Sequence, residues 1–118
     1  KLSEKRKKIT HSVLKKQIIN GLKGVKQFNN IIFAYEPVWS IGTGVIPKKK
    51  ELSRNINNIK NILIKMKKSK KFKILYGGSV NQKNAKELAK INGINGFLVG
   101  GASLNAKKFI DIIKKSIN

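Results

Sequence analysis

The segment Ile31-Ile32-Phe33-Ala34-Tyr35-Glu36-Pro37-Val38-Trp39-Ser40-Ile41-Gly42-Thr43-Gly44 sets the frame in which the other residues are read. Its five leading residues are apolar without alternation, the signature of a parallel-sheet strand buried on both faces, and Glu36-Pro37 stops the run. Upstream, a helix is expected from Thr10, a plausible N-cap, because Val13, Leu14, Gln17, Ile18, Leu22 and Val25 follow helical spacing. Downstream, between Lys48 and Lys68, apolar Leu52, Ile56, Ile59, Ile62, Leu63 and Met66 recur three or four apart while lysines fill the other face, which predicts an amphipathic helix. The alternation then repeats twice. Lys73-Ile74-Leu75-Tyr76 precedes Gly77-Gly78 and a helix from about Asn81, which can cap it, to Lys90. Gly96-Phe97-Leu98-Val99 precedes Gly100-Gly101 and a helix from about Ala106 to Ser116. Strand, loop and helix in threefold succession predict an α/β fold of three parallel strands with flanking helices, joined by crossovers. In such sheets ligands bind beyond the carboxyl ends of the strands, so the segments after residues 35, 76 and 99 are the ones to inspect.

Each of these ends is chemically unusual. Glu36 places a carboxylate at the mouth of an apolar strand, where partial desolvation would raise its pKa toward that of a general base; the plainer reading is a glutamate ending a strand in water. Pro37 stiffens the start of the following loop, and Gly42 and Gly44 bracket Thr43 with permissive backbone. That suits a lid that closes over a substrate, although a plain surface loop shares these features. After the second strand, Gly77-Gly78 would let backbone approach an anion, and Ser79 could donate both N–H and O–H to it. Gly100-Gly101-Ala102-Ser103 repeats the theme after the third. Singly, a Gly-Gly pair is most often a tight turn; two on successive strands match the phosphate site that barrels build after strands 7 and 8.

Composition bounds the alternatives. The 118 residues and 13.2 kDa predict one domain, and the formal net charge is +22. Such an excess suggests a polyanionic partner. Yet Lys, Ile and Asn, which share A/T-rich codons, fill 56 of the 118 positions, so codon drift accounts for the charge at least as well. The lysines are spread along every helix, with Lys48-Lys49-Lys50 and the run from Lys67 to Lys71 as tight clusters beside helix ends, and eight aromatics offer no stacking platform, so nucleic acid is not the expected partner. Absent cysteine and a single histidine argue against disulfides, thiolate chemistry and a metal site. No apolar run approaches the roughly 18 residues of a membrane span, and the start has no signal-peptide core, so a cytoplasmic protein is expected.

Ala34-Tyr35-Glu36-Pro37-Val38-Trp39-Ser40-Ile41-Gly42-Thr43-Gly44, Tyr76-Gly77-Gly78-Ser79-Val80 and Gly96-Phe97-Leu98-Val99-Gly100-Gly101-Ala102-Ser103-Leu104 together resemble, in order and spacing, the last three strand ends of the triosephosphate isomerase family. The likeness continues more weakly back through Gln17, Thr10, Arg6 and Leu2. It implies the C-terminal portion of a TIM (β/α)8 barrel over residues 1–118, a truncated barrel domain. It also implies an isomerase that interconverts dihydroxyacetone phosphate and glyceraldehyde 3-phosphate through an enediolate, in glycolysis and gluconeogenesis, with no cofactor and no metal. This family is itself a standard example of a glutamate base working beside a neutral histidine under a closing loop. By motif match Glu36 is the base. Pro37, Val38, Trp39, Ser40, Ile41, Thr43 and Gly44 form the lid; Gly42, Ser79, Gly100 and Gly101 hold the substrate phosphate; Tyr76 latches the lid. The family is a homodimer when full length.

Departures from the pattern matter as much. A barrel of this kind needs about 250 residues, and the family's catalytic Lys and electrophilic His fall on the first and fourth strands, which have no match here. His11 lies at the start of a helix and is expected on the surface. The lid's C-terminal hinge reads Val45-Ile46-Pro47, and Pro47 has no N–H to donate, so the closed-lid hydrogen bond between Tyr76 and the hinge backbone that the resemblance implies cannot form there. An isomerase whose N-terminal half lies elsewhere, an inactive remnant, and a basic nucleic-acid-binding module are the readings that compete.

Overall fold

The computed structural model describes residues 1–3, 9–67 and 72–117. Arg6 and most of the Lys67–Lys71 run therefore lie outside the described residues. Helix α1 spans Thr10–Gly21, strand β1 Ile32–Tyr35, helix α2 Lys49–Lys67, strand β2 Lys73–Tyr76, helix α3 Ala85–Ala89, strand β3 Gly96–Phe97 and helix α4 Ala106–Ile117. The strands form one parallel sheet in the order β1-β2-β3, with Ala34 level with Leu75 and Gly96, and Tyr35 level with Tyr76 and Phe97.

All the helices that pack on the sheet use one face of it. Phe33, Tyr35, Ile74, Tyr76, Phe97 and Val99 alternate along the strands and join the core built by Leu52, Ile56, Ile59 and Leu63 of α2 and by Leu14, Leu88 and Ile112 from the other helices. Side chains of the opposite parity have no such cover: Ile32 is 58% exposed and Leu98 45%, and Ala34 and Glu36 are exposed as well. The expectation that β1 is buried on both faces is thus corrected. Its continuous apolar run reflects a helix-covered outer face and an inner face that lies open in this sheet.

Within the core, ring contacts knit the strands together. Phe33 meets Phe72 edge-on with centroids 5.9 Å apart, and Tyr35 lies 6.4 Å from Tyr76. The Tyr35 hydroxyl accepts a hydrogen bond from Asn55 Nδ2 at 3.1 Å, which gives the buried asparagine of α2 a partner and fixes that helix against β1.

Several element ends differ from the expected ones. Ile9 rather than Thr10 occupies the cap position of α1, with no side-chain cap bond, and α1 stops at Gly21 before a turn in which Gly24 takes φ +81°. Helix α3 is shorter than the 81–90 span because Asn81 and Asn84 form a turn of their own. Asn81 Oδ1 accepts from the Lys83 and Asn84 N–H groups, and Asn84 Oδ1 accepts from Asn81 N–H. Asn81 thus closes a turn ahead of the helix. Strand β3 starts at Gly96 as expected and ends at Phe97 rather than Val99; ahead of it, the Asn95 side chain receives the Ile74 N–H, at 2.8 Å. Beyond Phe97 the Leu98 N–H still reaches Tyr76 O, at 2.9 Å.

Two outcomes follow from this one-sided core. Ile56→Ala removes a fully buried side chain and is expected to cost about 2–5 kcal/mol in denaturant unfolding, whereas Ile32→Ala on the open face should change stability by less than ~0.5 kcal/mol; equal losses would contradict the assigned faces. Burial pushes the Tyr35 phenol from its ordinary 10.0 up to about 12, against a smaller opposing effect of the Asn55 hydrogen bond. The folded chain therefore keeps a proton that the unfolded chain gives up, so this stability is complete below pH 10 and is lost as pH rises toward 12, by about 2–3 kcal/mol. Tyr35→Phe should flatten that decline in pH-dependent unfolding.

Candidate active site at the strand ends

Parallel pairing in register brings the three carboxyl ends to one rim. Glu36, Gly77 and Leu98 follow the level row Tyr35, Tyr76 and Phe97, on the open face. Contact confirms the adjacency: a Cβ placed on Gly77 would lie 2.9 Å from Glu36 Cγ, 3.2 Å from Glu36 Cδ and 3.2 Å from Leu98 Cβ. Gly77 is therefore the clearance that lets the Glu36 side chain lie across the end of β2. The two-glycine turn read from sequence as an approach path for an anion first makes room for the carboxylate.

Residues 37–47 form a closed loop above this rim. Pro37, at φ −62°, leads into a 3-10 turn at Val38–Ser40, closed by Ser40 N–H on Pro37 O at 2.8 Å. Thr43 Oγ1 donates to Trp39 O at 3.0 Å and accepts from Val45 N–H at 3.2 Å. Gly42 and Gly44 adopt φ +65° and +75°, conformations that L side chains rarely take. The loop is docked, not projecting into solvent. Gly44 N–H donates to Ser79 Oγ at 2.9 Å, and Ser79 Oγ donates in turn to Ser40 O.

The Ser79 hydroxyl is thus engaged by the loop at both its donor and its acceptor side. Ser79 itself sits at φ +48°, held by Asn84 Nδ2 on its carbonyl at 2.9 Å. Asn84 is a supporting residue that the sequence reading missed; it was visible only as one polar position in a predicted helix.

Tyr76 also has a different partner from the one expected. Pro47 is buried and offers no N–H, and the Tyr76 hydroxyl lies 3.1 Å from Ser40 Oγ. Ser40 Oγ donates to Val45 O, so the serine joins the two stems of the loop while touching the tyrosine. Burial raises the Tyr76 phenol pKa, against a smaller opposing effect of the Ser40 hydrogen bond. Gly78 makes this cluster possible: a Cβ there would stand 2.7 Å from the Tyr76 hydroxyl and 2.8 Å from Ser40 Oγ.

At the third end, Gly100 precedes a 3-10 turn at Gly101–Leu104, and Ser103 closes it with its N–H on Gly100 O at 2.9 Å and its hydroxyl on the same oxygen at 2.6 Å. No atom comes within 4 Å of a Cβ built on Gly100 or Gly101, so both face open space. His11 is exposed on α1. Among the described residues no three His, Cys, Asp or Glu side chains gather as metal ligands, and no helix is long and apolar enough to cross a membrane. A groove of about 450 Å³ runs along the free edge of β1, lined by Val13, Leu14 and Ile18 of α1 and reaching Glu36 at one end. Its apolar walls suit a neighbouring strand better than a phosphate.

A carboxylate, a docked glycine loop and two glycine turns on one rim of a parallel sheet define the ligand-binding end of a (β/α)8-type barrel, of which three strands are present. The comparisons narrow the class. A family model described as triosephosphate isomerase matches residues 1–116, and the chain belongs to that family. Proteins named triosephosphate isomerase are 41% identical over 112 residues in Chlorobium phaeobacteroides (92% of this chain, 45% of the relative). Identity is 46% over 105 residues in Mycoplasma mobile (86% and 40%), and 41% over 119 residues in Candida albicans (98% and 48%). The chain spans about half the length of the curated relatives it matches.

The clearance at Gly78 yields a direct test. Gly78→Ala forces its methyl against two buried hydroxyls and should cost about 1–3 kcal/mol. Gly100→Ala meets nothing and should stay within ~0.5 kcal/mol of the parent in thermal unfolding. Equal effects would show that the Tyr76–Ser40 cluster is not packed as described.

Proposed function

We propose that this chain supplies the base and phosphate side of an active site that interconverts dihydroxyacetone phosphate and glyceraldehyde 3-phosphate. The observation that carries the reading is the contact row at the rim, Glu36 against Gly77, beside a glycine loop docked on Ser79. In this reading the Glu36 carboxylate takes the proton from the hydroxyl-bearing carbon and returns it to the neighbouring carbon. The electron pair of the broken C–H bond enters the enediolate and reforms a C–H bond on the second carbon, while the hydroxyl proton passes from one oxygen to the other, a transfer left to groups from elsewhere in the barrel. The N–H groups of Gly42, Ser79, Gly100 and Gly101 hold the phosphate, whose binding energy favours the docked loop and excludes water around the carboxylate.

The carbonyl must be polarised by groups from elsewhere in the barrel. Among the described residues neither the catalytic Lys nor the His that the family resemblance implies is matched at this rim, and loss of one such donor typically costs about 10²–10³ in rate. The 118 residues alone are therefore proposed to be inactive or nearly so, and to act once joined to a segment that completes the barrel. On the same reading the complete protein is a cytoplasmic homodimer of glycolysis and gluconeogenesis, with a triose phosphate as its small-molecule substrate, no nucleic-acid or membrane partner, and no cofactor.

The test is an assay with glyceraldehyde 3-phosphate, on the chain by itself and joined to the N-terminal strands of a relative such as that of Mycoplasma mobile. Activity is expected only in the joined protein, where Glu36→Gln should lower kcat by about 10²–10⁴ with little change in KM. A joined protein in which Glu36→Gln retains full turnover would refute the assignment of the base.

A further inference from the structure

We propose that Ser40 is the positioning residue that clamps the lid, taking the anchoring role that Pro47 denies to the backbone. The inference rests on the reading of residues 37–47 as a substrate lid, and goes beyond it in naming what holds the lid shut. Ser40 is fully buried, unusual for a hydroxyl in a surface loop. Its hydrogen bonds explain the burial. One hydroxyl proton is available on Ser40, and it goes to Val45 O, so the lid's first stem is tied to its second. With that proton committed, the approach of Tyr76 at 3.1 Å makes the tyrosine the donor and Ser40 Oγ the acceptor. The Ser40 carbonyl receives the Ser79 hydroxyl, and that hydroxyl receives Gly44 N–H. One residue thus joins both stems of the lid to the ends of β2 and its following turn, through side chain and backbone together. Glycine at position 78 fits this arrangement, because a larger residue would strike both hydroxyls of the pair.

A clamp has a signature that a merely structural serine lacks: its removal frees the lid and leaves the sheet alone. Amide hydrogen exchange of the chain reads both. In Ser40→Ala, exchange at Gly44 N–H is expected to speed up by about fivefold, the weight of one net hydrogen bond. Exchange at Gly77 N–H and Leu98 N–H, which bond to Tyr35 O and Tyr76 O, should be unchanged. Tyr76→Phe should speed Gly44 less, and should add nothing in the Ser40→Ala background, because the serine is the tyrosine's acceptor. Unchanged Gly44 exchange in Ser40→Ala, or equal acceleration of all three amides, or effects of the two substitutions that multiply, would overturn the clamp. If Ser40→Ala does not fold, Tyr76→Phe decides alone: selective acceleration at Gly44 supports the clamp and none refutes it. Exchange needs no turnover. A chain without isomerase activity therefore still gives an answer on Ser40, and an active one with unaltered Gly44 exchange removes the clamp and leaves the reaction standing.

Discussion

Everything at the rim depends on the period-two alternation of side chains along a parallel strand. Tyr35 faces the helices and its neighbour Glu36 faces away, so a single register fixes both the core and the carboxylate. A one-residue slip would send Glu36 into the packing of α2 and Tyr35 to the open side. The buried contacts that forbid this slip are Tyr35 with Asn55 and Tyr76, and Ile74 with the α2 stripe. The same contacts that stabilise the fold therefore aim the group proposed to move the proton.

The open face follows from the same geometry. Ile32, Ala34 and Leu98 are apolar yet uncovered, and α4 exposes Ile110, Ile113 and Ile117 on the side away from Ile112. Scattered apolar exposure is ordinary, but here it lies along the inner side of a sheet and the free flank of its last helix. In a closed barrel those surfaces are interior or covered by the next helix. Alternate strand positions read as a continuous hydrophobic run for that reason, and a chain of three strands displays one half of them.

Fold and site were legible from sequence to different depths. Element order and parallel topology follow from apolar periodicity, and the family likeness from three motifs, because these are local patterns with fixed spacing. What escaped was pairwise. Nothing in Tyr76-Gly77-Gly78-Ser79 says that its first glycine clears space for Glu36 and its second for Ser40, since both neighbours lie some forty residues earlier. Serine after glycine suits an anion, and nothing there shows that the docked loop engages the Ser79 hydroxyl. Pro47 told in advance that the usual latch was impossible, but only coordinates name Ser40 as the alternative. The burial of both faces of β1 was misjudged because continuous apolarity describes a completed sheet, not the strands on hand.

Charge and composition acquire a sharper meaning beside this geometry. Lysine and asparagine together fill 38 positions, yet none falls in Phe33–Val45, Leu75–Val80 or Gly96–Leu104. A codon bias that replaces residues wherever they are tolerated leaves its mark on solvated helix faces, where one polar side chain serves as well as another. It stops where a side chain must fit 3 Å gaps, take positive φ or present a particular oxygen. These three segments, without lysine or asparagine, coincide with the strand ends and the loops that follow them. A surface selected for polyanions would concentrate its cations on one face, whereas these lysines recur along every helix and are missing from the strand-end segments.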